Sequence, residues 1–275
     1  MRRAFCYAHR MVGEMLGGLS DPRIRSYRMV IVGETGRSAD SVSDSSVQSL
    51  YLWQVAVASA WYEALSILEP VLRNRIDSVL RCWNQEQGKT EDWLEDPARP
   101  LQSEVRRMAA SARGAAERGA CRRPQNHPRF NAPVTLDDRV SQLSFGNLSA
   151  LFPLRPPVNR RNFATGFSAK ENLWIYALSR AFPGLTSKLA QRHVASIHPA
   201  VPTEVRDGYA VAIALEQLRR LRNRVSHQEQ ILNVDHQERL ADMYALAHAL
   251  SPQTLGVMKK MDRVQRTLLM RPRFS

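Results

Sequence analysis

Residues Trp61–Leu80 read WYEALSILEPVLRNRIDSVL, and the spacing of this stretch decides the fold class. Trp61, Leu65, Leu68, Leu72, Ile76 and Val79 recur at steps of three and four. That is the period of one buried face of an α-helix. The pattern holds from Ser45 to about Gln87, several times the length of a strand. Pro70 lies inside it. Proline has no N–H and its ring clashes with the preceding turn, so the sequence predicts a kink or a fresh helix start there.

Outward from this segment the signals remain helical. Ser20 and Pro22 mark a helix start in LSDPRIRSYRMVIV. The following GETGRSADSVSDSS is a polar linker; Gly33 and Gly36 are too close together, and no lysine follows, for a phosphate loop. Residues 88–100 form a polar, proline-containing connection. LQSEVRRMAASARGAAERGA, from Leu101 to Ala120, reads as an Ala- and Arg-rich helix. Thr135 with Asp138, and Ser168 with Glu171, are capping-box pairs ahead of VSQLSFGNLSALF and NLWIYALSRAF. Thr203 caps a helix through about His227. Ser251-Pro252 opens a last, basic helix carrying Lys259, Lys260, Arg263 and Arg266. Alternating β patterns are almost absent. The expectation is an all-α protein of about nine helices packed as a multi-helix bundle. Residues 1–19 are expected to be weakly ordered, 20–250 to form the helical domain and 251–275 the basic C-terminal helix.

Among the 275 residues, 39 Lys and Arg face 26 Asp and Glu, a formal charge of +13. Such an excess favours an anionic partner such as nucleic acid, anionic lipid or an acidic protein. A solvated, arginine-rich surface is the plainer reading. Cys6, Cys82 and Cys121 are far apart with no Cys-x-x-Cys, which argues against a disulfide framework. No apolar run approaches the roughly 20 residues of a membrane span, and the N-terminus lacks the sustained apolar region of a signal peptide. These features point to a cytoplasmic protein without membrane partners.

The tetrapeptide Leu-Arg-Asn-Arg occurs twice, at Leu72–Arg75 and Leu221–Arg224, and only the second is closely followed by a histidine, His227. On a helical wheel with Leu215 at zero, Leu218, Leu221 and Val225 cluster near 270°, roughly, while Glu216, Asn223 and His227 fall at about 80–120°. Arg222 lies at the edge of the apolar arc, where a guanidinium must find a partner. Arg222 and His227 are about 140° apart, so one straight helix does not aim both at one small group. Either the helix ends near Ser226, or a second helix or subunit completes the site. An arginine can grip a phosphate in a bidentate fork and stabilise charge growing on it. A histidine titrates near neutrality and can take a proton from a ribose 2′-hydroxyl or give one to a leaving oxygen. On spacing alone, a histidine capping a helix C-terminus is the more ordinary reading.

Several blocks, in order, resemble the Abi-like (abortive infection) family of the HEPN superfamily across about residues 19–250. They are LSDPRIRSY, LYLWQVAVASAWYEALSILEPVLRNRID, QLSFGNLSALF, NLWIYALSRAFPG and LRRLRNRVSHQEQIL. The second carries the family's Glu-x-x-x-Arg-Asn element at Glu69, Arg73 and Asn74. The last carries an Arg-x(4–6)-His motif at Arg222, Asn223 and His227. The resemblance implies an all-α HEPN-like bundle and a metal-independent endoribonuclease of the toxin or phage-defence type, with Arg222, Asn223 and His227 catalytic and no cofactor. It implies RNA as substrate, a homodimer, and a protein or RNA antitoxin. Glu69 is expected to pair with Arg73 or Arg222 and orient the arginine; a local helix ion pair is the alternative. The chain departs from the family at Gln228, where a second histidine is usual, at Pro70, and at Asn147-Leu148, where Phe-Trp is common. A non-catalytic, degenerate HEPN module binding RNA or protein is therefore the alternative function. A helix-turn-helix regulator ranks below both, as no recognition helix with a suitably placed turn glycine is visible.

Other residues read as structural. His193 and His198 lack the intervening glutamate of a zinc helix. His127 lies in a loop, and Trp53, Trp61 and Trp174 are core. Arg155–Arg161 and Lys259–Arg273 could track an RNA backbone or simply be solvated.

Overall fold

The computed structural model describes residues 16–274 and is all-α. Among the described residues there is no strand. The expected weak order of residues 1–19 falls mostly outside the described residues. Among the described residues eleven α-helices are defined at both ends, more than the nine or so expected. They are α1 Asp21–Thr35, α2 Asp44–Glu86, α3 Leu101–Cys121, α4 Leu136–Ser141, α5 Phe145–Ser149 and α6 Ala169–Tyr176. These are followed by α7 Ser187–His193, α8 Arg206–Ser226, α9 His236–Leu250, α10 Pro252–Met261 and α11 Val264–Leu269.

The extra helices arise where caps interrupt a periodic stretch. VSQLSFGNLSALF is split because Ser144 and Asn147 form their own capping box and start α5 just after α4 ends. Asn147 thus has a structural job. The C-terminal basic segment is likewise two helices, broken at Asp262 and Arg263, where the Asp262 carboxylate accepts from the Val264 N–H at 2.7 Å. Both capping boxes read from sequence are present. Thr203 begins a single 3-10 turn that leads into α8. At Pro70 no new helix starts; α2 is one element with the proline on its exposed side. Contrary to the sequence expectation, α2 is long and apolar enough, by length and composition alone, to cross a membrane. Its apolar side is nevertheless a core face, with Leu50, Val57, Trp61, Leu68, Leu72, Ile76 and Leu80 all buried.

The chain forms two compact units. Among the described residues, the first gathers those up to Ala64, Arg224–Val234 and those from Asp262 on; the second comprises Leu65–Asn223 and Asp235–Met261. In the first, distant segments close on α1 and the first half of α2. The indole N–H of Trp53 donates to the Thr267 carbonyl at 2.8 Å, and the Ile231 N–H donates to the Gln54 side chain at 3.2 Å. Tyr27, Ile31, Val47, Leu50 and Trp61 form its core.

In the second unit, buried polar groups fix the connections. Asn84, fully buried, donates to the carbonyls of Thr90 and Asp96 and accepts from the Ala98 N–H, pinning the 88–100 connection to α2. Glu171 is also fully buried. It accepts from Arg160 at 2.6 and 3.1 Å, from the Tyr209 hydroxyl at 2.9 Å and from the Ser168 N–H at 2.7 Å. Burial raises its pKa, but these bonds outweigh burial and hold it below the usual carboxylate range. Two glycines permit close packing. A Cβ at Gly184 would sit 2.5 Å from the His248 carbonyl oxygen, and one at Gly208 would sit 2.7 Å from the Trp174 ring.

Candidate active site on α2 and α8

Helix α8 buries Leu215, Leu218, Leu221 and Val225, the arc expected from the sequence. Opposite them, Glu216 accepts from Arg219 at 2.7 and 2.9 Å and from Arg220 at 2.8 Å. The Arg219 hydrogen bonds, helped by Arg220 and opposed by burial, push the Glu216 carboxyl down to about 2. This cluster was not singled out in the sequence; the i, i+3 and i, i+4 spacing of Glu216, Arg219 and Arg220 was the available signal.

Within the second unit Glu69 meets two arginines. Arg73 donates to Glu69 Oε1 at 3.0 Å, and Arg222 Nε lies 3.7 Å from Glu69 Oε2. The expected pairing of Glu69 is therefore observed with both partners. The two guanidiniums are held differently. Arg73 also donates from Nε to the Leu143 carbonyl at 3.1 Å, and its side chain is 18% exposed. Arg222 makes the longer contact and is 38% exposed. Asn223 is partly buried beside it, and Asn74 is exposed.

The helix ends at Ser226, the first of the two outcomes the wheel allowed. The Gln228 N–H donates to the Val225 carbonyl at 3.1 Å, and the Glu229 N–H donates to the Arg224 carbonyl at 2.8 Å. This paired arrangement is a Schellman motif, with Gln228 in the left-handed position at φ 53°. Glycine or asparagine usually occupies that position; a glutamine there costs on the order of 1 kcal/mol. Arg23 donates to the Gln228 carbonyl. The motif places His227 at the helix C-cap, exposed in the turn. His227 belongs to the first unit, whereas Arg222, Asn223, Glu69, Arg73 and Asn74 belong to the second.

The remaining histidines of interest have structural surroundings. His193 is buried against Asp242, with Nε2 2.9 Å from Oδ1, and Arg192 and Arg239 face the same carboxylate. His198 and His127 are exposed in loops. Trp53, Trp61 and Trp174 are buried, as read from sequence. Among the described residues no three His, Cys, Asp or Glu side chains cluster as metal ligands would. Compared with protein-family models, with curated proteins and with solved structures, the chain matches none.

Proposed function

We propose that the chain is a metal-independent endoribonuclease of the abortive-infection type, built on a HEPN-like bundle. The observation that carries the reading is the contrast around Glu69. Arg73 is fastened by side chain and backbone, while Arg222 keeps a half-exposed guanidinium with donors to spare. An arginine so held, on a helix that ends in an exposed His227, has the chemistry for RNA cleavage. Arg222 grips the scissile phosphate and stabilises its growing charge. Asn223 adds a hydrogen bond to the same group. His227 takes the proton of the ribose 2′-hydroxyl, whose oxygen attacks phosphorus, or returns a proton to the departing 5′-oxygen. The products are a 2′,3′-cyclic phosphate and a 5′-hydroxyl. Glu69 positions Arg222, with Arg73 and Asn74 as support. In this reading the partners are RNA, a second copy of the chain as in a homodimer, and an antitoxin that restrains it.

One observation favours the second reading, a non-catalytic HEPN module binding RNA or protein. The family's second histidine is Gln228 here, and its backbone is committed to ending the helix. RNA cleavage in EDTA by the wild type beside His227→Ala separates the two. The nuclease reading expects a loss of about 10²–10⁴-fold in the variant, with 2′,3′-cyclic ends from the wild type. Equal rates, or none in either, contradict it.

A further inference from the structure

A cleft of about 390 Å³ lies in the second unit, where α2 ends and α3 begins. Trp83 and Gln87 line it from the end of α2, and Arg99 and Pro100 from the residues just before α3. Tyr176 and Arg180 also line it, and no carboxylate does. The cleft shares no lining residue with the Glu69–Arg222 site.

We infer that this cleft binds the phosphoryl group of a phosphate monoester, gripped by Arg99, Arg180 and the indole N–H of Trp83. The nuclease reading is not needed for it. Trp83 is only 2% exposed, and its indole N–H makes no hydrogen bond among the described residues. That nitrogen is nevertheless not closed off from solvent. A donor on a buried ring that lines the cleft thus opens into it and lacks an acceptor. Arg99 is exposed and likewise makes no hydrogen bond or ion pair among the described residues. Arg180 gives Nη1 to both oxygens of Glu86, at 2.8 and 2.7 Å, and keeps Nε and Nη2 for another anion. Helix α3 starts directly after Pro100 with no side chain capping it, so its first N–H groups add partial positive charge. The end of α2 would oppose this, but the carbonyls of Trp83, Asn84 and Gln85 already accept from the N–H groups of Gln87, Lys89 and Gly88. A phosphate monoester carries about two negative charges near neutrality and three terminal oxygens. Two guanidiniums and one N–H match that set better than they match a diester, with one charge and two such oxygens. Tyr176, 52% exposed, and Pro100 offer apolar surface to the esterified group.

The test adds phenyl phosphate to the full-length, isotope-labelled protein at constant ionic strength and follows the indole N–H signals by NMR, with affinities from calorimetry. Of the five tryptophan signals, the one absent from Trp83→Phe moves and saturates. Arg99→Ala and Arg180→Ala each weaken binding roughly tenfold. Arg107→Ala, at an exposed arginine outside the cleft, stays within about twofold. Dimethyl phosphate, a diester, binds at least about tenfold more weakly than phenyl phosphate. A Trp83 signal that stays still, an equal loss in Arg107→Ala, or equal binding of dimethyl phosphate overturns the inference. Should Trp83→Phe fail to fold, Arg99→Ala decides alone, because unchanged affinity at that exposed position also overturns it. A short RNA with a 5′-phosphate, beside the same RNA with a 5′-hydroxyl, identifies the source of the monoester. Tighter, Arg99-dependent binding of the phosphorylated RNA assigns the cleft to an RNA end; equal binding of the two RNAs, with phenyl phosphate bound, assigns it to a small molecule. None of these outcomes requires RNA cleavage, so the cleft and the nuclease stand or fall separately.

Discussion

The two Leu-Arg-Asn-Arg tetrapeptides are identical in sequence and opposite in situation. Leu72 and Leu221 are both buried, so each tetrapeptide is anchored alike. The difference lies in what surrounds the first arginine. Arg73 sits in mid-helix, with Glu69 one turn before it and the Leu143 carbonyl brought to it by the α4–α5 connection. Arg222 borrows the other oxygen of the same Glu69 from a distance of 3.7 Å, near the end of its helix. Downstream, Ile76 is buried and continues the first helix, whereas Ser226–Gln228 close the second. Identical residues thus yield a fastened cation in one place and an available one in the other. Anchoring comes from the partners that the fold delivers, not from the tetrapeptide.

The contrast can be sharpened at its extreme. Arg160 is fastened through a carboxylate that is wholly buried. Glu171→Ala leaves Arg160 and Tyr209 without their shared partner and is expected to cost about 3–5 kcal/mol in urea unfolding. A cost under 1 kcal/mol would show that buried pairing does not rank these arginines. Arg73→Ala comes next. It abandons Glu69 and the Leu143 carbonyl together, and a loss of about 1–3 kcal/mol is expected from the same measurement. A smaller shift follows from pH. The Glu216 carboxyl lies at about 2 in the folded chain against an ordinary 4.5. Its contribution is therefore complete above about pH 4.5 and is lost as pH falls toward 2. The urea midpoint should fall over that window and fall less in Glu216→Gln; parallel curves would exclude the Arg219–Arg220 pairing as the cause. The smallest effect is at His227. It is an exposed cap residue, so His227→Ala should leave the melting temperature within the scatter expected of surface changes, about ±0.5 kcal/mol.

Much of this contrast was legible in the residues. The period of three and four exposed α2 and the buried arc of α8, because core faces of helices repeat by geometry. Glu69 stood out because it lies one helical turn before Arg73, and the structure gives it Arg73 and Arg222 together. Capping pairs were legible because their side chains bond within three residues. What could not be read was long-range. The Leu143 carbonyl that fastens Arg73 is 70 residues away in sequence, and the Trp53–Thr267 bond that folds the C-terminus back spans 214. Trp93 and Leu94, in a connection read as polar, are buried, and Asp77, 16 residues before Trp93, accepts from its indole at 2.8 Å. The left-handed turn at Gln228 was hidden because glutamine is not a residue that announces it.

The most direct test of the account measures Arg73→Ala and Arg222→Ala side by side, for urea stability and for RNA cleavage in EDTA normalised to folded protein. The account expects Arg222→Ala to unfold within about 1 kcal/mol of the wild type while losing cleavage by at least about a hundredfold. It expects Arg73→Ala to lose stability and, where folded, to lose far less cleavage than Arg222→Ala. The reverse pattern, with Arg222 needed for folding and Arg73 for cleavage, would contradict it.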